Sequence, residues 1–434
     1  MSLLHSILRR VVSIGFIGVL SGVVLCGFSQ AEGPLLLRNP SLSQDKIAFL
    51  YADDIWTVGR EGGEAQRLTS VGAVTAGPYF SPDGTEIAYS THEHGLTDVY
   101  VVKAEGGVPL RLTWNPEGNE AVGWTPDGKD VLFASARASS SHFMRLFEVH
   151  PDGTGSPTVL PLPSAAQGNF SPDGSTMAYE PIVQWEDAWK HYRGGQTKKV
   201  WLVNMKTLDL VKVPRESSND FSPVWEGKTV YFLSDRNGPV SLFSYDTESK
   251  AVTQVVDNKG YDLKTVAAGP GALVYQQFGS LHLYDLGTKK EHAVAVTIHG
   301  DLPELMPRLE NIAAHEMQNV AVSPTGVRVV AEAHGEIFTL PVEKGNTRDL
   351  TKTPGSAERD PAWSPDGKSI AYFSDGSGEY QLYIRDQDGL LPPKMIDLGA
   401  ESVLLLQAAV VSGFEAHCVF GQAPASLVRG RGGW

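Results

Sequence analysis

Residue types that do chemistry are present in this chain, but they are not spaced for it. A hydrolytic serine is often framed as Gly-x-Ser-x-Gly on a strained turn, and no serine here has glycine at both positions. No His-Glu-x-x-His occurs, so a zinc-hydrolase helix is unsupported. His92-Glu93-His94 would place two imidazoles on one strand face, as metal ligands require. Catalytic zinc needs a third protein ligand and structural zinc a fourth; none is evident, and Gly95 follows, so the segment reads as a loop. Gly367-Lys368-Ser369 imitates the end of a phosphate loop, yet the required upstream glycine falls at Ala362 in what reads as a hairpin. Asp53-Asp54 offers two carboxylates to a cation at a ring mouth, although turn residues opening a strand are the simpler reading. Ser234-Asp235-Arg236-Asn237-Gly238 and Ser374-Asp375-Gly376-Ser377-Gly378 cluster turn formers between strands. No catalytic residue, metal or cofactor is assigned.

One surface stands out. An insertion over 181–198 contains Trp185, Trp189, Tyr192 and Arg193, and aromatic and Arg side chains are enriched in interface hot spots. These side chains either cover a sheet edge or contact a partner.

The elements that must position such residues come from an internal repeat. Phe80-Ser81-Pro82-Asp83-Gly84, followed by Ile87-Ala88-Tyr89, recurs from Trp124, Phe170 and Trp363, with weaker copies at 42–49, 225–232, 268–275 and 322–331. Pro fixes φ and Asp-Gly makes a tight turn, so each copy is two antiparallel strands. A third strand follows, as in Asp54-Ile55-Trp56-Thr57-Val58 or Asp98-Val99-Tyr100, and then a short outer one such as Arg67-Leu68-Thr69, Arg111-Leu112-Thr113 or Asp349-Leu350-Thr351. Four short strands repeated every ~40–55 residues describe propeller blades. The fold class expected is therefore all-β: a six-bladed β-propeller over 32–298, a linker over 299–318, and an incomplete start of a second propeller, about two blades, over 319–399. Residues 400–434 fall off the pattern and read as a disordered or frame-shifted tail.

Composition bounds the function further. With 50 acidic and 36 basic residues, the formal charge is −14, and Lys and Arg are nowhere concentrated as nucleic-acid binding needs. Arg9 and Arg10, an apolar run over 11–27 and Ser29-Gln30-Ala31 match a cleavable export signal over 1–31. A periplasmic location is expected, with no membrane contact after cleavage; anchoring through 11–27 is the alternative. Of two cysteines, Cys26 leaves with the signal and Cys418 lies in the off-pattern tail, so the body has no disulfide framework.

The repeats resemble the TolB/tricorn class of propellers. Trp189-Lys190-His191-Tyr192-Arg193-Gly194-Gly195, followed by a Trp-containing strand, resembles the first propeller of tricorn-type serine proteases, as does the order of a six-bladed ring followed by a second propeller. The resemblance covers roughly 35–399. It implies relatedness to peptidases that trim peptides and carry their nucleophile in later domains, beyond a seven-bladed second propeller and a PDZ domain. This chain matches only the propeller region and is expected to be inactive alone, contributing substrate gating and binding. The implied partners are peptides or unfolded protein segments and other protein subunits. The family holds peptide C-termini with basic residues on the first propeller, and the resemblance points to Arg137, in Ser135-Ala136-Arg137-Ala138, for that role. The alternative is an extracytoplasmic TolB-like protein-binding module.

Overall fold

The computed structural model describes residues 35–93, 95–140, 143–183, 192–305, 312–313, 315–353, 355–398, 405–411 and 415–420. The expected signal, Trp185, Trp189 and His94 lie outside them. Among the described residues, strands dominate and the one helical element is the 3-10 turn Pro303–Leu305.

The chain is built from propeller-like four-stranded antiparallel sheets, each paired in simple sequence order. Six of them have the inner strands Arg38–Leu42, Val74–Phe80, Glu120–Trp124, Gln167–Phe170, Asp220–Glu226 and Leu263–Gly269. Each inner strand packs against the next, and the sixth packs against the first. The cores follow the same cycle. Ala48, Leu50 and Ile55 meet Ile87 and Tyr89 between sheets one and two, and Ile47, Phe49 and Trp56 meet Ala272, Val274 and Leu281 between sheets one and six. A sheet with two apolar faces has no other way to bury both.

The repeated turn explains each sheet's first hairpin. Ser81 Oγ donates to Asp83 Oδ1 at 2.6 Å and accepts from Glu86 N–H at 3.0 Å, while Thr85 N–H donates to Asp83 at 3.0 Å. Gly84 takes the positive φ, +73°, that closes the turn. Thr125–Asp127, Ser171–Asp173 and Ser364–Asp366 repeat the hydroxyl–carboxylate bond.

Two devices join sheet six to sheet one. Val296–Thr297 pairs in parallel with Gly63–Glu64, and Gly63 N–H donates to Ala295 O at 2.8 Å. Asn39 sits at a bulge with φ +48°, and its N–H is taken by Gln276 Oε1 at 3.1 Å. The same arrangement recurs where Glu180 takes Ser222 N–H at 2.7 Å and where Glu332 takes Asp360 N–H at 2.9 Å. In each case, a polar side chain on the second strand of one sheet satisfies the bulge of the next.

Two further sheets follow, with inner strands Gln318–Val322 and Glu358–Trp363. The segment expected to be off-pattern contains the antiparallel strands Leu405–Val411 and Glu415–Phe420, and the first of these packs beside Glu358–Trp363. Leu405–Val411 is largely apolar and ends in two valines, and Glu415–Phe420 ends in Val419-Phe420, residue types that favour strand even without a Pro-Asp-Gly turn. The rest of 399–434 lies outside the described residues.

Candidate functional site

The connections from second to third strand and from outer to next inner strand leave one end of every sheet. Arg137, Tyr192, Arg193 and Arg236 all lie in such connections. Arg137 is half-buried. Its guanidinium stands 4.9 Å from the Phe133 ring centre and 5.4 Å from that of Phe147, and its Nη2 donates to Asn119 Oδ1. Asn119 Nδ2 in turn donates at 3.0 Å to Asp98, a fully buried acid that also takes Arg111 Nη2 at 2.5 Å and Thr113 Oγ1 at 2.7 Å. Burial pulls the Arg137 guanidinium below its ordinary value, and the Asp98 charge opposes that shift.

Arg236 repeats the geometry two sheets later. It lies 5.2 and 5.0 Å from the Phe232 and Phe243 ring centres, donates through Nε to Ser234 Oγ at 3.0 Å, and through Nη2 to buried Asp220 at 3.0 Å. Phe133-Ala134-Ser135-Ala136-Arg137 and Phe232-Leu233-Ser234-Asp235-Arg236 are thus one motif, and the sequence reading passed over the second as a turn.

The described part of the insertion is tied to this end of sheet five. Arg193 Nη2 donates to Asp235 Oδ2 at 3.0 Å, and Asp235 also takes Asn219 N–H at 2.8 Å. Tyr192 is folded over its own loop, where its carbonyl takes Arg193 Nη1 at 3.0 Å. Arg137 and Arg193 therefore belong to separate networks, on sheets three and five.

Asp53 and Asp54 have opposite surroundings. Asp53 is exposed and paired with Arg38 at 2.7 Å. Asp54 is fully buried and accepts from Arg67 Nη2 at 2.5 Å, Thr69 Oγ1 at 2.7 Å, Val71 N–H at 2.9 Å and Gly72 N–H at 3.2 Å. Asp54 and Asp98 hold their Arg at 13 residues and their Thr at 15, a spacing legible in the sequence but not recognised as one unit.

For nucleophilic chemistry, the described residues offer one serine–imidazole contact, Ser280 Oγ to His282 Nε2 at 3.0 Å. The Ser280 hydroxyl donates to Gln277 O at 2.6 Å, so its proton is committed elsewhere and the ring nitrogen does not act as its base. The pair lies two residues apart on one strand, and burial pulls His282 below its ordinary value, keeping it neutral. His92 is exposed and contacts Thr97 Oγ1 at 3.1 Å. Among the described residues, no group of three or more His, Cys, Asp or Glu is placed to hold a metal ion. What the connection end does offer is half-buried guanidinium groups on aromatic faces, a setting for carboxylates and other anions.

Comparison with known proteins agrees with this architecture. The model of the tricorn protease N-terminal β-propeller domain matches residues 34–290. Tricorn protease homolog 1 of Streptomyces coelicolor is 27% identical over 374 residues, covering 84% of this chain and 34% of the homolog. The tricorn protease of Thermoplasma acidophilum is 26% identical over 289 residues, 64% of this chain and 26% of that protein. The chain thus spans about a third or less of these curated relatives. The crystal structure of the tricorn protease superposes with a TM-score of 0.55 at 20% identity, over 91% of this chain and 39% of that one, a likeness of fold. Through residues 34–290, the chain belongs to the tricorn protease N-terminal β-propeller family.

Proposed function

We propose that this chain supplies the substrate-binding and gating propeller of a tricorn-like serine peptidase, engaging peptides or unfolded segments without hydrolysing them. In this reading the cycle of six sheets is a complete six-bladed ring, and sheets seven and eight begin a second. The carrying observation is the coincidence of the family match over 34–290 with the cycle of packed sheets that ends in the Val296–Thr297 pairing. Arg137 is the proposed peptide-carboxylate contact, held in place from behind by Asn119 and Asp98. Export to the periplasm by the 1–31 signal belongs to the same proposal, and the mass of the chain recovered from that compartment tests it.

The decisive experiment incubates the purified chain with fluorescently labelled unstructured peptides, followed by anisotropy and by mass spectrometry. Saturable binding with intact peptide is expected, and Arg137→Ala should weaken it about tenfold, the loss of one charged hydrogen-bonding partner. Cleavage that copurifies with the chain at constant specific activity would refute the reading, as would the absence of binding.

A further inference from the structure

The outer strand of sheet four, Leu210–Lys212, presents neighbouring apolar side chains to water beside a cluster of cations. It is exposed along its whole length, and Leu208, Leu210 and Val211 leave 50%, 43% and 40% of their surface in water. The outer strands of sheets one and six, Gln66–Arg67 and Lys290–Ala293, carry mostly polar side chains, and those of sheets two, three and eight expose one apolar residue each, Leu110, Val159 and Met395. Scattered exposed apolar residues are ordinary; three within four positions on a sheet edge mark a contact surface.

The backbone of that edge is open. Trp201 faces Lys212, Leu202 faces Val211 and Val203 faces Leu210 across the ladder. Val213 N–H donates to Val200 O at 3.2 Å and Asn204 N–H to Asp209 O at 3.0 Å. The alternation of antiparallel bonding then turns the N–H and C=O of Leu210 and Lys212 outward, on the side where this sheet ends.

Cations gather at one end of the edge. Lys212 Nζ lies 5.1 Å from the Trp201 ring centre. Lys199 Nζ donates to Gly195 O at 3.4 Å, and Arg215 Nη1 donates to the carbonyls of Lys198 (2.9 Å) and Ser218. Among the described residues, none of these three forms an ion pair with a carboxylate. Burial first, then Arg215 and Lys212, pull Lys199 below its ordinary value, so the cluster repels itself. In a chain with a formal charge of −14, such a cluster is a place for a negative group from outside.

We propose that this edge binds an extended peptide segment by strand addition, with a carboxylate of that segment held by Lys199, Lys212 and Arg215. Main-chain bonds to Leu210 and Lys212 give affinity, Leu208, Leu210 and Val211 receive alternate apolar side chains, and the cations select for acid. Only the ligand class rests on the peptide-binding reading above; the site stands on its own geometry and lies apart from Arg137.

The test uses the full chain and four fluorescein-labelled octapeptides of alternating valine and threonine, read by anisotropy. One has two internal glutamates and an amidated C-terminus, one is neutral with a free C-terminal carboxylate, one is neutral and amidated, and one has two internal lysines and is amidated. One or both carboxylate peptides should bind at least tenfold more tightly than the neutral amide, and comparing them identifies the carboxylate's source. The lysine peptide should bind most weakly. Leu210→Pro removes one outward donor while sparing the inward ladder, as an edge strand tolerates, and Lys199→Glu reverses one charge. Each should cost at least tenfold in affinity with the circular dichroism unchanged. Equal binding of all four peptides, or insensitivity to both variants, would overturn the proposal. So would a gain in affinity on deleting residues 184–191, because that insertion would then already occupy the edge. Peptide binding that survives both variants but is lost in Arg137→Ala leaves the broader reading intact, whereas no peptide binding at all removes both.

Discussion

Asp98→Ala tests how the fold holds the proposed peptide contact. Asp98 is buried and takes Arg111, Thr113 and Asn119, and Asn119 takes Arg137. Breaking a buried ion pair by removing one partner costs about 3–5 kcal/mol, because a charge is left uncompensated. The Arg111 side chain keeps 28% of its surface exposed, so water reaches the orphaned guanidinium and the lower end, about 3 kcal/mol, applies. For a domain of this size each kcal/mol moves Tm by about 2–4 °C, giving a fall of about 6–12 °C by calorimetry. Arg111→Met in the same background should recover at least about 1.5 kcal/mol relative to additivity, since removing both charges is milder than removing one. Peptide affinity should fall in parallel, as Asn119 loses the acceptor that orients it toward Arg137. A Tm within about 2 °C of wild type, or strict additivity of the two changes, would refute the reasoning.

Four further outcomes are expected. The carboxyls of Asp83, Asp127, Asp173 and Asp366 are all held below their ordinary value, Asp127 at about 2, chiefly by hydrogen bonds within their turns. A depressed folded value stabilises above the unfolded one, so this contribution is present above pH ~4 and is lost as pH falls toward 2; Asp127→Asn should flatten the Tm profile there. Gly62→Ala should destabilise the junction of sheets six and one by about 2 kcal/mol, because Gly62 has φ +94° and an added Cβ meets Ala295 O; denaturant titration showing no shift would contradict this. Glu358 is buried, its Oε2 lacks a partner, and burial raises its pKa, so its ionisation costs stability as pH rises. Glu358→Gln should therefore gain about 1 kcal/mol at pH 8 and little at pH 4, measured as the difference in Tm. Hydrogen exchange should be faster in Gln318–Val322 than in Arg38–Leu42, and the reverse order would show that the second array is the more stable one.

The sheets were legible because their signals are local. Ser-Pro-Asp-Gly fixes a turn through hydrogen bonds spanning a few residues, and alternation in Ile87-Ala88-Tyr89 marks the strand that follows. What joins distant sheets was not legible. The bond from Asn39 to Gln276 spans 237 residues, and nothing in either local sequence announces it. The candidate site fell between these cases. Arg137 was singled out through a resemblance, whereas its physical twin Arg236 went unremarked because Asp235 and Gly238 made the segment look like a turn. Both descriptions hold, for a turn at the end of a second strand is where Arg236 reaches Asp220, the buried acid of its own sheet, and where Arg137 reaches the buried Asp98 of the preceding sheet through Asn119. The Asp54–Arg67–Thr69 unit was overlooked because the sequence shows types and intervals but not that an acid at a strand start will be sealed from water.

The two arrays solve the same problem with different completeness, and the difference lies in a few positions. In sheets one and two, the acid at or near the start of the third strand is Asp, bonded to Arg and Thr; in sheet seven it is Glu336, bonded to Thr351, with Asp349 where the Arg would stand. Burial and then Asp349 raise the Glu336 pKa, so this acid lacks the compensation its counterparts have. In sheet five, Arg236 reaches the acid that opens the inner strand, whereas in sheet eight the corresponding position is Gly376, and Glu358 keeps an unpartnered oxygen. Leu42 on the inner strand of sheet one is 4% exposed beneath sheet six, while its counterpart Val322 is 62% exposed. The first array pairs Asp54, Asp98 and Asp220 and seals the inner position that Leu42 occupies, although Gln196 Oε1 and Trp225 Nε1 stay buried without a partner; the described part of the second does neither fully. Among the described residues, the region that matches the family model is the one whose acids are paired and whose inner positions are sealed, which is why the binding proposals are placed there.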